Sequence, residues 1–311
     1  MLKNIFSIVE YNDTHNIARI LGIKIKYPKR EFAQLKKQMP FENYKKQGFD
    51  ISKIPPAEGQ LREIQLANLA LLKEMDYVCK QANLEYWIDF GTLLGAVRHE
   101  GFIPWDDDVD LGMLRSDYEK IIDAFKKYSR NPDIFANYYR CNNNSSQIII
   151  KIQHKKCLHL FVDIFPYDIS TKILTNKDQL EETIQIKKVR KEIETKCSLK
   201  MDDIEVLNII KTYRQKLFQA TSYKDSDYDL CWGIEFNHHW ENWFANKEMI
   251  FPLKEIKLEN SFFPCINDTE GYLEKVYGNY MNYPKKFGFG HNMFAKLSKE
   301  EAEVIKDLIR S

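Results

Sequence analysis

The apolar positions along the chain change period several times, and each change predicts an element. From Gly59, the residues Leu61, Ile64, Leu71, Met75 and Val78 recur at helical spacing as far as Cys79, which predicts an amphipathic helix ended by Asn83. Tyr86-Trp87-Ile88-Asp89-Phe90 then reads as a strand rich in aromatic and β-branched residues. Gly91-Thr92 breaks that strand, and residues 93–98 are expected to form a short helix. Val109-Asp110-Leu111-Gly112-Met113 alternates apolar and non-apolar, which is a strand signal. Ser116 with Glu119 three residues later is a capping-box pattern and predicts a helix running to about residue 128. Residues 147–152 and 159–164 are two further strand candidates.

Two helices are expected between residues 178 and 220. The first carries Leu180, Ile184, Val189 and Ile193 on one stripe, and the second carries Leu207, Ile210, Tyr213 and Leu217. Residues 232–244 are aromatic and have no clear period, while Ser298 with Glu301 caps a last helix ending near Ile309. This order predicts an α+β fold: a small mixed sheet flanked by helices, with an additional helical C-terminal region. Residues 1–58 form an accessory segment that ends in Ile54-Pro55-Pro56, because adjacent prolines cannot continue a helix. A core over 59–170 and a mainly helical region over 171–311 complete the expected organisation.

Charge narrows the range of partners. The formal net charge of +1 gives no general electrostatic reason to expect nucleic acid as a partner. A local basic cluster, Lys24, Lys26, Lys29 and Arg30, leaves peripheral membrane contact open. The first ten residues hold a short apolar patch, interrupted by Lys3, Asn4 and Glu10, which is too short and polar for a signal sequence. No run approaches the roughly 18–20 apolar residues of a membrane span. The expectation is a cytoplasmic protein, with peripheral contact at the inner face of the membrane left open. Cys79, Cys141, Cys157, Cys197, Cys231 and Cys265 are scattered without a C-x-x-C pair, so no zinc knuckle is readable and free thiols are expected.

The chemistry concentrates in one stretch. Asp106, Asp107, Asp108 and Asp110 place four carboxylates in five positions. A solvated acidic turn would tolerate such a run, but ionised carboxylates this close repel and need a cation if buried. The run leads into an apolar strand, and period-2 geometry would put Asp108 and Asp110 on one face, roughly 6–7 Å apart. Such a pair can grip a divalent cation, with Asp106 helping, and oxygen-only ligands favour Mg²⁺ or Mn²⁺. Asp163, flanked by Val162 and Ile164, either faces solvent at a strand end or completes a three-carboxylate site. Gly91 and Thr92 form an ordinary tight turn or a phosphate-holding one, since glycine lets a backbone approach closely and a helix N-terminus attracts anions. Arg98 and His99 are surface residues or neutralise a diphosphate. Taken together these pieces fit phosphoryl transfer, which needs charge neutralisation and positioning more than covalent help.

These residues resemble the LicD family of phosphocholine transferases and fukutin-related proteins. The resemblance runs through Gly59-Gln60-Leu61-Arg62 with Gln65, then Gly91-Thr92-Leu93-Leu94-Gly95-Ala96-Val97-Arg98-His99. It continues through Gly101-Phe102-Ile103-Pro104-Trp105-Asp106-Asp107-Asp108 to Asp110, Gly112 and Met113. Weaker blocks are Asp163-Ile164-Phe165-Pro166 with Asp168, Phe251-Pro252-Leu253, Phe263-Pro264, Tyr277-Gly278, Pro284 and His291. Two departures are the lack of a cysteine cluster, which the fukutin-related branch is thought to use for zinc, and Leu114 where proline is common.

The resemblance implies a nucleotidyltransferase-like fold and transfer of a phospho-alcohol, chiefly phosphocholine, from a CDP-linked donor to a glycan hydroxyl with release of CMP. The acceptor would be a cell-surface glycan such as lipopolysaccharide, teichoic acid or capsule, in some cases lipid-linked. Asp106, Asp108, Asp110 and Asp163 would then hold Mg²⁺ or Mn²⁺, with Asp163 alternatively taking the acceptor proton. Gly91 and Thr92 would contact the diphosphate, Arg98 the leaving CMP, and His99 and His291 a phosphate or the acceptor. The rival readings are transfer of the NMP group itself and a non-catalytic glycan- or nucleotide-binding protein. The intact acidic set argues against the last.

Overall fold

The computed structural model of the chain describes residues 6–10, 15–20, 23–28, 41–140, 146–170, 176–218, 229–235, 244–285 and 295–310. Strands β1 (Phe6–Glu10), β2 (His15–Ile20) and β3 (Ile23–Pro28) pair antiparallel in one small sheet. Lys24 and Lys26 lie on β3, while Lys29 and Arg30 fall outside the described residues.

Helix α1 (Phe41–Lys46) precedes the long helix α2 (Gly59–Ala82). The expected apolar stripe of α2 is buried, and Asn83 ends the helix in the left-handed region at φ 53°. Asparagine tolerates that conformation better than most residues, which is why the helix stops there. Phe41, Ile51 and Ile54 are buried in the same cluster as α2, with Phe41 edge-on to Trp105. Packing therefore continues across the Pro55-Pro56 break and reaches back to residue 41.

Among the described residues the main sheet has seven strands. Its long central strand β8 (Cys157–Ser170) pairs parallel with β5 (Asp110–Leu114), and β5 pairs antiparallel with β4 (Trp87–Ile88). On its other edge β8 pairs antiparallel with β7 (Ile148–His154) and then with β9 (Asp229–Trp232). Strand β6 (Ile134–Arg140) extends β7, and β10 (Phe244–Asn246) extends β9. The expected mixed sheet flanked by helices is present. After residue 171, besides the helices, β9 and β10 join the main sheet and β11 (Lys254–Leu258) with β12 (Ser261–Cys265) forms a hairpin.

Several local expectations shift for identifiable reasons. The predicted strand at 86–90 is cut to two residues because Asp89 caps helix α3 (Phe90–His99), accepting from the Phe90 N–H at 2.8 Å. Gly91 and Thr92 therefore stand in the first turn of a helix. The predicted helix from Ser116 splits into α4 (Arg115–Tyr118) and α5 (Ile121–Tyr128), and the capping box at Ser116 does not form. Arg214 binds the Glu119 carboxylate at 2.7 Å instead. In α6 (Asn176–Lys196) Leu180 and Ile184 are exposed at 60% and 58%, and the buried stripe runs through Ile186 and Ile193. That stripe packs with Val206 and Ile210 of α7 (Asp203–Leu217).

After α8 (Lys247–Ile250) and the hairpin come α9 (Thr269–Tyr277) and α10 (Lys299–Arg310). The Ser298–Glu301 capping box forms as expected, with reciprocal bonds of 3.2 and 2.8 Å. No described helix is long and apolar enough to cross a membrane. Cys79, Cys157, Cys197, Cys231 and Cys265 are buried and form no disulfide with one another, and Cys141 lies outside the described residues.

Candidate active site

The acidic run lies in the connection between α3 and β5, and polar side chains of α2 hold that connection. Arg62 makes a two-pronged ion pair with Glu259 at 2.7 and 2.6 Å, and Glu259 accepts from the Phe102 N–H at 3.1 Å. Gln65 donates to the carbonyls of Ile103 and Asp106 at 3.2 and 2.8 Å. Asn68 donates to the Asp107 carbonyl at 2.7 Å, while its own oxygen accepts from the Phe161 N–H at 3.0 Å. Gln65 and Asn68 are fully buried, so each bond is made where water cannot replace it. Gly95 lets this loop lie directly on α3, because a Cβ there would meet the Gly101 carbonyl at 2.5 Å.

The clamp gathers the carboxylates. Asp106, Asp107 and Asp108 each offer an oxygen, and these all lie within 4.8 Å of one another. Strand β5 starts at Asp110, so Asp108 joins the cluster through the loop and not by strand alternation. A Cβ on Gly91 would stand 3.1 Å from the Asp106 carboxylate and 3.8 Å from that of Asp110. Gly91 is therefore the floor against which these two acids meet. Burial, followed by the charges of Asp108, Asp163 and Asp106, holds the Asp110 carboxyl well above the usual carboxylate range. Burial and Asp108 do the same to Asp106, whose carboxyl is hydrogen-bonded to that of Asp108. Two carboxyls in that contact need a shared proton or a cation between them. The donors are all oxygen, so the set fits Mg²⁺ or Mn²⁺ on its chemistry.

Asp163 sits beside Asp110 in the parallel β5–β8 register and is buried, so it is not a solvent-facing strand end. Its cross-strand partner on β7 is Lys151, whose ammonium lies 2.8 and 3.1 Å from the two carboxylate oxygens. The sequence expectation passed over Lys151. The available signal was a single charge inside Ile148-Ile149-Ile150-Lys151-Ile152.

The remaining expected residues divide. Thr92 is buried, and its hydroxyl oxygen accepts from the Asp110 N–H at 2.8 Å, tying α3 to β5. Arg98 is buried too: its guanidinium donates to the Tyr280 carbonyl at 2.7 Å and stacks 5.6 Å from the Trp105 ring centroid. Burial pulls its pKa to about 10, so it stays cationic at neutral pH. His99 accepts from the Arg98 Nε–H at 3.0 Å, and burial together with that cation pulls its pKa to about 3. His99 is thus neutral and adds no charge against a diphosphate. His291 lies outside the described residues.

Two further groups reach the cluster. Asp89 is fully buried and accepts from the hydroxyls of Tyr167, at 2.6 Å, and Tyr272. Its own N–H donates to the Asp110 carbonyl at 2.9 Å, and burial lifts its carboxyl to about 6. Tyr277, the last residue of α9, keeps 37% of its surface open, yet its hydroxyl end is enclosed near Asp110, Asp89, Asp106 and Asp108. Burial and then those acids raise the phenol well above its ordinary value, so it stays protonated.

Residues 83–207 match the family model described as LicD/FKTN/FKRP, nucleotidyltransferase domain. The lipopolysaccharide cholinephosphotransferase LicD of Haemophilus influenzae is 34% identical over 122 residues, covering 35% of this chain and 44% of that protein. An uncharacterized protein of Rickettsia typhi is 36% identical over 102 residues, covering 32% of this chain and 33% of its own length. The ribitol 5-phosphate transferase FKRP of Homo sapiens is 28% identical over 104 residues, covering 33% of this chain and 21% of that protein. The chain spans less than half the length of each of these relatives.

Proposed function

The chain carries a LicD-family nucleotidyltransferase domain, and from that premise we propose that it moves a phospho-alcohol from a CDP-linked donor to a glycan hydroxyl, releasing CMP. The observation that carries this reading is the meeting of the Asp106 and Asp110 carboxylates against Gly91 at the start of α3, with Asp108 hydrogen-bonded to Asp106. The two named relatives are, by name, transferases of a phosphate ester of a small alcohol, choline in one and ribitol in the other. Phosphocholine is the leading group for this chain and a cell-surface glycan the leading acceptor.

Asp106, Asp108 and Asp110 are the residues that would hold Mg²⁺ or Mn²⁺. A divalent cation in this set supplies charge neutralisation to the donor diphosphate. Gly91 leaves the room a diphosphate needs beside the first turn of α3. Arg98, fixed by the Tyr280 carbonyl and the Trp105 ring, faces the charge that develops on departing CMP. Tyr277, protonated, donates to a phosphate oxygen. Asp163 receives the acceptor's hydroxyl proton as the new P–O bond forms and the bond to the CMP oxygen breaks. The polypeptide acts in the cytoplasm at the inner face of the membrane, where the Lys24 and Lys26 strand meets anionic lipid.

The test is incubation of the purified chain with CDP-choline or CDP-ribitol, Mg²⁺ and a glycan acceptor, read by mass spectrometry. CMP with a phospho-alcohol on the acceptor is the expected outcome. Nucleotide on the acceptor would establish NMP transfer, and turnover in excess EDTA would overturn the cation's role.

A further inference from the structure

Lys151 is a buried cation that the reaction above leaves without a task. It interrupts the isoleucines of β7 and stands directly opposite Asp163 of β8. Its ammonium touches both Asp163 oxygens, at 2.8 and 3.1 Å. The same ammonium lies 3.6 Å from the ring centroid of Phe161 and 4.6 Å from that of Tyr139. Two aromatic faces and a carboxylate are the chemistry that retains a cation, and lysine delivers it as a compact point charge.

A second positive ion approaching Asp163 would meet this ammonium at contact distance. Freeing the carboxylate would mean stranding a buried charge, which is strongly unfavourable. Where three carboxylates converge without such a lysine, two metal ions about 3.5–4 Å apart are a common arrangement. Here one carboxylate already has its counter-ion from the chain.

We propose that Lys151 is the resident cation of Asp163, and that this ion pair confines divalent-metal binding to a single ion at Asp106, Asp108 and Asp110. The inference rests on the reading of those three aspartates as the cation site. Lys151 is a positioning residue on this view: its ammonium, on both Asp163 oxygens, holds that carboxylate out of the metal's ligand set.

The experiment counts Mn²⁺ bound to the full chain by electron paramagnetic resonance, with calorimetry for affinity. Wild type and Lys151→Arg should bind one Mn²⁺ per chain, and Lys151→Met should bind two. Because Lys151→Met leaves Asp163 unpaired and can fail to fold, the double variant Lys151→Met/Asp163→Asn removes both charges together. It should bind one Mn²⁺ with affinity within about threefold of wild type, whereas loss of a true ligand would weaken binding by more than about tenfold. Two ions in wild type, one in folded Lys151→Met, or a tenfold loss in the double variant would each overturn the proposal alone. No Mn²⁺ bound to wild type would overturn the aspartate site and this inference with it.

Discussion

Asn68→Leu isolates the clamp on the acidic loop. Leucine keeps the size of the side chain and removes both hydrogen bonds, leaving the Asp107 carbonyl and the Phe161 N–H without their partner at a fully buried position. A buried polar group left unpaired costs about 1–3 kcal/mol, so two such groups give about 2–6 kcal/mol. For a chain of this size each kcal/mol moves the melting temperature by roughly 2–4 °C, so a fall of at least about 4 °C is expected. The same amide bridges the loop bearing Asp106–Asp108 and the strand bearing Asp163, so Mn²⁺ affinity should fall as well. Calorimetric melting gives the first quantity and titration the second. Lys80→Ala is the control: Lys80 meets Asp76 at 2.7 Å but is 66% exposed, and such surface pairs are worth about 0–1 kcal/mol. If Asn68→Leu melts as close to wild type as Lys80→Ala does, the clamp contributes nothing and the argument fails.

Asp108→Asn and Asp110→Asn should each lose most transferase activity while remaining folded, and metal-free Asp110→Asn should melt no lower than wild type because it relieves repulsion; an active, folded variant would count against the site. Gly91→Ala should weaken Mn²⁺ binding at least about tenfold with an unchanged circular dichroism spectrum, since its methyl would crowd the Asp106 carboxylate at 3.1 Å. The Asp89 carboxyl is lifted from 3.8 to about 6, so the folded chain binds that proton more tightly than the unfolded one. Stability from this group is therefore present at low pH and lost as pH rises from about 4 to 6, and Asp89→Asn should flatten that part of a melting-temperature–pH profile. A chain beginning at residue 41 should keep Mn²⁺ and donor binding, whereas one beginning at residue 59 should melt lower because Phe41, Ile51 and Ile54 leave the core; equal melting would place the boundary at 58 after all.

The sequence announced its acids but not what holds them. The α2 stripe, the Asn83 stop and the crowded aspartates are local patterns, legible because period and spacing carry them. Asn68 and Gln65 read as polar interruptions in a helix, since their partners are backbone carbonyls delivered by a distant loop. Lys151 was illegible as a partner of Asp163 because strand register, not sequence distance, sets that pair. The Ser116 capping box failed for a related reason: Glu119 had a better offer from Arg214, 95 residues away. The α6 stripe moved from Leu180 and Ile184 to Ile186 because the packing of α7, absent from any local window, decides which face is covered.

The contacts that complete the centre are long in chain order. Arg62 to Glu259 spans 197 residues, Asp89 to Tyr272 spans 183, and Arg98 to Tyr280 spans 182. On a ribosome adding about 5–20 residues per second, the aspartates emerge many seconds before Glu259, Tyr272 and Tyr280. Until then the acidic loop is held by Gln65 and Asn68, without the Arg62–Glu259 pair that braces the Phe102 end. The candidate site is therefore fastened late in synthesis, and a chain that stalls before residue 259 carries Asp106, Asp108, Asp110 and Asp163 without the Glu259, Tyr272 and Tyr280 contacts that complete their surroundings.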